Sequence, residues 1–309
     1  MMNEVTLEAL FGSYDLGAPL VQGALQVFPL RRKIPPRHGA RPWALADKLL
    51  SAEQAEVREV DEGGIVNTLS FENRSGKHAL LFDGIELSGC KQNRMINTTL
   101  LATAGTTTSI PVSCVEAGRW NYRSKTFSHS GRMVTGALRN RKAHMVKESL
   151  MDCGEAGSDQ SEVWAEVGRT LGRAGRFSPT SALDAVYEPF EGGVTEGSFP
   201  AFEAEGAIVV IGENVIGMDL LADGDTFANF WNNAVRGYRV DALGAGDSPT
   251  LDGTRVRSWF EGLARRASLR PVELPGVGEH YVIDGEHLSG TIVLHEGELV
   301  HAALFPQLG

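Results

Sequence analysis

The chain has 309 residues, enough for a large core, with 42% hydrophobic and 22% charged residues, an ordinary globular balance. Its net charge of −10 argues against a general nucleic-acid coat, and no apolar run approaches the length of a membrane span. Three cysteines, Cys90, Cys114 and Cys153, show no CxxC spacing and argue against a disulfide framework or structural zinc, so with early acids and no basic-then-apolar leader the protein is expected to be cytoplasmic.

The 36 glycines point to turns and short strands rather than long helices. Ala24–Leu30 is an apolar run closed by basic residues and Pro35–Pro36. Pro42 predicts the start of a short helix carrying Trp43, Leu45, Leu49 and Leu50. Strands are expected at Val57–Val60, Ile65–Glu72 and Ala79–Phe82, then a hairpin at Asp83–Gly84 with Ile85–Leu87 returning. Met95–Ala102 and Thr108–Glu116 read as two more strands around a Gly105 turn. In the second, Ile110, Val112, Cys114 and Glu116 share a face, and Pro111 implies an edge or a bulge.

Helical spacing covers Gln160–Gly172, and Ser178–Pro179 has the form of a helix start. Met151–Asp159 and Glu191–Gly206 read as loops. Strands follow at Ala207–Ile211, Val215–Leu221, Tyr281–Ile283, Thr291–Leu294 and Leu299–Leu304. Two amphipathic helices separate them, Asp225–Val235 and Thr254–Ala267, whose aromatics are assigned to the core. AIVVIGENVIG, TIVLHEGELVH and ALLFDGIELSG all read as strand–turn–strand units. The expected class is α+β: a β-rich, sandwich- or barrel-like N-terminal half (1–135), a helical and loop connection (136–206), and a mixed α/β part (207–309) packing on the first, with a single domain as the alternative.

From Arg119 to Lys147 there are eight basic residues and no acid. In an acidic chain such a block implies an anion site, a seam with an acidic surface of the same molecule or a partner, or a solvated loop. P-loop, dinucleotide fingerprint, HExxH and GxSxG patterns are absent, no histidines pair at metal-ligand spacing, and no metal is expected.

Chemistry-bearing side chains concentrate in 84–132. Arg94 and Arg119 offer forks for phosphate or carboxylate, and Gln92, Asn93 and Asn97 can read hydroxyls or base edges. Glu86 and Glu116 are acid–base candidates, and Trp120 could stack on a ring, although on its own a core role suits it better. Glu86–Arg94 and Glu116–Arg119 also fit a plainer role, as ion pairs that lock strand ends.

These same residues carry a resemblance. LLFDGIELSGCKQNRMINTTLL (80–101) and IPVSCVEAGRW (110–120), with the stretch VREVDEGGIVNTLSFENRSGKHALLFDG before them, resemble the prokaryotic domain family named for its association with ADP-ribosylglycohydrolase and rhodanese-phosphatase proteins. The likeness is specific over 49–124, with later echoes at 160–164, GMDLL (217–221) and 238–242. It departs at Ser88-Gly89-Cys90-Lys91. The resemblance implies a setting in ADP-ribose or NAD-related chemistry and prokaryotic conflict systems, and it brings no catalytic assignment and names no cofactor. The expectation is therefore binding and hydrolysis of a small anionic, nucleotide or ADP-ribose-like ligand, with Glu86 and Glu116 catalytic. Gln92, Asn93, Arg94, Asn97, Arg119 and Trp120 would hold the ligand. The alternative is a non-catalytic sensor or interaction scaffold. Nucleic acid is a lesser expectation, and a homo-oligomer is compatible with the sequence.

Overall fold

Alternating side chains in the first half close a barrel. The computed structural model describes residues 6–34, 41–61, 63–190, 199–246 and 250–307. Six strands form the barrel in the order Thr107–Cys114, Thr68–Asn73, Ala55–Glu59, Phe127–Met133, Ile85–Gly89 and Arg94–Ile96, the last pairing back to Thr107–Cys114. Every pairing is antiparallel. Val57, Phe71, Leu87, Ile96, Ile110, Val112 and Phe127 belong to the core that fills it. The cavity left between Val57, Leu87, Ile96 and His129 is only about 20 Å³, so the middle of the barrel is packed and is not a ligand chamber.

A nine-stranded antiparallel sheet is the second body, with the path Tyr14–Leu16, Leu25–Arg32, Gly206–Ile211, Asn214–Leu221, Glu298–Pro306, Leu288–His295, Glu279–Gly285 and Ala267–Val272; Leu20–Gln22 adds to the second of these. Both faces of its centre are covered. Phe28, Leu30, Ile208 and Val210 pack with Leu7, Phe11, Val256 and Phe260 of the helices Leu7–Gly12 and Gly253–Gly262. Val27, Val209 and Leu221 face the barrel side, with Phe227 and Phe230 of the helix Gly224–Leu243. Two-sided burial is why these strands read as continuous apolar runs. A three-stranded sheet, Leu100–Ala102, His78–Leu81 and Trp43–Leu45, bridges the two bodies. Among the described residues, no helix is long and apolar enough to cross a membrane.

The α+β class with a barrel-like, β-rich first half is what the structure has, and several local expectations change. Asp83–Gly84 is a corner between sheets, not a hairpin. His78–Leu81 pairs with Leu100–Ala102 and Trp43–Leu45, while Ile85–Gly89 pairs inside the barrel. A type I′ turn needs positive φ at both central residues, and here only Gly84 has it, at 76°. Met95–Ala102 divides the same way into Arg94–Ile96 and Leu100–Ala102, in different sheets. Pro42 precedes the strand Trp43–Leu45, and the helix begins only at Ala46. The strand expected from Ile65 starts at Thr68. Ser178–Pro179 opens a turn, with Ser178 Oγ accepting from Ala182 N, ahead of the 3-10 helix Leu183–Phe190. The helix expected to Ala267 ends at Gly262, and Ala267 opens a strand. Of the loop expected at 191–206, residues 191–198 lie outside the described residues.

Pro111 sits where its strand changes neighbour: Thr107–Pro111 pairs with Thr68–Glu72, and Val112–Cys114 with Arg94–Ile96. A residue without an N–H is cheap at that handover. The 18-residue helix Gly136–Cys153 was not legible as a helix and holds part of the basic block. Six of the eight basic residues form ion pairs with acids of the same chain: Arg119 with Glu116, Arg132 with Glu86, Arg139 with Asp83 and Asp219, Arg141 with Glu162 and Glu166, Lys142 with Asp83, and Lys147 with Asp284. Most of the block is thus a seam within the molecule.

Candidate functional site at the end of the barrel

Strand alternation sorts the candidate residues into groups. On Arg94–Ile96, Arg94 shares the inward face with Ile96, while Met95 packs outside against Val163 and Val167 of the helix Gln160–Arg173. Cys114 lies across from Arg94 in register and follows Ile110 and Val112 on the inward face. Glu59 follows Ala55 and Val57 on theirs. The apolar barrel therefore ends in a polar layer of Glu59, Arg94 and Cys114.

This layer is buried and incompletely paired. Arg94 is 0% exposed and the Glu59 side chain 4%. Arg94 Nη1 donates to Gln92 Oε1 at 2.8 Å and contacts Cys114 Sγ. Its Nε and Nη2, and both carboxylate oxygens of Glu59, have no hydrogen-bond partner. The Arg94–Glu59 separation of 3.9 Å is an ion pair too long for a hydrogen bond. Buried charged groups without such partners are costly and call for an explanation. Burial raises the Cys114 thiol to about 11 and, with the Glu59 charge beside it, Cys90 to about 11. Neither is a nucleophile at neutral pH.

Aromatic side chains cover the layer. The Arg94 guanidinium is 5.8 Å from the Trp120 ring centre, and Lys91 Nζ lies 5.1 Å from Trp120 and 5.2 Å from Tyr122. Trp120 is 45% exposed and so is not core. Lys91 also donates to Gly63 O at 2.5 Å, tying the loop after Ala55–Glu59 to the loop that carries the aromatics.

Glu86, Asn93, Glu116 and Arg119 form a second group outside the barrel wall. Glu116 Oε2 accepts from Arg119 Nε and Nη2, at 2.9 and 2.6 Å, and from Asn93 N, while Oε1 accepts from Thr180 Oγ1. Burial opposes its ionisation, but these donors outweigh it and hold its pKa below the usual range. Glu86 pairs with Arg132, not Arg94: Oε2 accepts from Arg132 Nε at 2.9 Å and Oε1 from Asn93 Nδ2 at 3.2 Å. Its burial outweighs Arg132 and raises its pKa. Asn93 Oδ1 accepts from Arg119 Nη2, and Gln92 Nε2 donates to Glu116 O, so the second group is hydrogen-bonded to the first through Gln92. Asn97 stands apart at the far end of its strand, bonded to Ala156 O and Ser113 Oγ.

A deeper cluster was not anticipated. Arg139 Nη2 donates to Asp83 Oδ1 at 2.8 Å and Asp219 Oδ1 at 2.7 Å, Lys142 Nζ to Asp83 Oδ2 at 2.8 Å, and Tyr238 OH lies 3.0 Å from Arg139 Nη1. Thr99 Oγ1 accepts from Asp83 N and lies 2.7 Å from His301 Nδ1, and His301 Nε2 lies 3.1 Å from Asp219 Oδ1. Among the described residues, Asp83, Asp219 and His301 bring three potential metal-ligand atoms within 4.8 Å of one another. Two cations already neutralise the two carboxylates, and the cluster has the character of an internal tie. The basic block was its signal in the sequence; Asp219, within GMDLL, lay in a late echo of the family resemblance.

Fold and site define the class: an α+β protein, antiparallel except where Trp43–Leu45 pairs with His78–Leu81, with a packed barrel closed by a buried carboxylate–guanidinium layer. The family model for the ARG and Rhodanese-Phosphatase-superfamily-associated Protein domain matches residues 13–305, and the chain belongs to that family. No curated protein and no solved structure matched it.

Proposed function

We propose that the protein binds a small anionic ligand of the nucleotide or ADP-ribose class at the barrel end, with Arg94 as its anchor. The observation that carries this reading is the wholly buried Arg94, with two nitrogens unsatisfied beneath Trp120. A phosphate or carboxylate would complete the guanidinium fork, and the indole offers a face for a planar ring. Gln92 positions Arg94, and Asn93, Arg119, Glu86 and Glu116 hold the turn that presents it. Entry requires the Lys91–Gly63 hydrogen bond to open. The family's association with ADP-ribosylglycohydrolase agrees with this ligand class.

Binding without turnover is the better-supported form. Glu86 and Glu116 have all their carboxylate oxygens engaged by protein donors, which leaves neither placed to move a substrate proton. Hydrolysis would instead run through Glu59. Titration calorimetry with ADP-ribose should give saturable binding that Arg94→Gln abolishes while the melting curve stays cooperative. Equal binding by that variant would overturn the assignment. Product release that depends on Glu59 would replace a sensor with an enzyme.

A further inference from the structure

Resting on that reading, we propose that the ligand carries a ribose whose vicinal hydroxyls are read by Glu59. Arg94 presents donors only, and Glu59 presents two acceptors, neither oxygen with a partner, 3.9 Å away. A guest satisfying both must set an anionic group beside a pair of hydroxyl donors. A bare phosphate would leave the Glu59 acceptors unfilled, and a free sugar would leave Arg94 unpaired. Gly64, at φ 76°, brings its backbone close over the charged layer: a Cβ there would touch Lys91 Cδ at 3.4 Å and Glu59 Oε2 at 3.6 Å. Val60, Ile65 and Tyr122, at 46%, 40% and 52% exposure, add apolar surface on the loops that carry Gly63 and Trp120. A sugar phosphate with a planar base therefore matches the arrangement: phosphate on Arg94, the hydroxyl pair on Glu59, the base against Trp120.

The test is calorimetry of adenosine 5′-monophosphate against its 2′,3′-dideoxy analogue, on the wild type and Glu59→Gln. The wild type should bind the dideoxy compound about tenfold or more weakly, because an unfilled buried acceptor pair is expensive. In Glu59→Gln, removing the hydroxyls should cost almost nothing further. If the wild type binds both nucleotides alike, Glu59 does not read the ribose, while the anion site stands. If it binds neither, this inference and the anion site both fall.

Discussion

Asp241 is a carboxyl whose charge the fold resists. Its Oδ2 accepts from Ala137 N at 3.0 Å, its Oδ1 is buried without a partner, and burial raises its pKa from 3.8 to about 7. As pH rises, the unfolded chain loses this proton first, so the stability present below the unfolded pKa is given up progressively and is gone above the folded one. Asp241→Asn should therefore leave the melting temperature near pH ~4 unchanged and raise it at pH ~8 by a few degrees. An equal shift at both would contradict the assignment. The thiols give a second residue-scale expectation. Cys90 and Cys114 are buried with raised pKa values and Cys153 is exposed, so a thiol reagent should label one cysteine in the native protein and three after denaturation. Labelling of two or more in the native state would count against the closed barrel end. At this scale, residue type exposed Arg94 and Trp120 as candidates, while Glu59 was hidden in an ordinary strand. Only closure of the barrel brings it opposite Arg94.

The helix Gly136–Cys153 illustrates what periodicity can miss. Its buried positions include Leu138, Arg139, Lys142, Val146 and Leu150, a helical spacing in which two core-facing places are charged. An apolar pattern search passes over it, because burial here is balanced by ion pairs with Asp83 and Asp219 from other elements. Arg139→Leu should destabilise the protein by about 3–5 kcal/mol in urea unfolding, since it leaves Asp219 without a cation and Asp83 with only Lys142. A loss below about 1 kcal/mol would mean the cluster is not the tie described. The hairpins Gly206–Leu221 and Leu288–Pro306 were legible because a local turn joins their strands. ALLFDGIELSG was not, since its halves enter different sheets and nothing local records that.

Across the whole molecule, one continuous hydrophobic cluster runs from the barrel to the near face of the large sheet. Leu25–Arg32 pairs with Gly206–Ile211, residues far apart in sequence, and no local pattern could specify that partner. The Asp83–Arg139–Asp219–His301 cluster joins the sheet corner, the long helix and the large sheet. Both tie the N- and C-terminal parts of the chain independently of the barrel end. The Glu59–Arg94 layer can therefore be altered without cutting these ties, so binding and stability are separable. Calorimetry with ADP-ribose on the wild type and on Glu59→Leu/Arg94→Met, each followed by a thermal melt, addresses this directly. The double variant removes a poorly satisfied buried pair, so it should melt within a few degrees of the wild type or above it, and bind nothing. A double variant that melts far lower, beside a wild type that takes up no ligand, would make the layer structural and contradict the account.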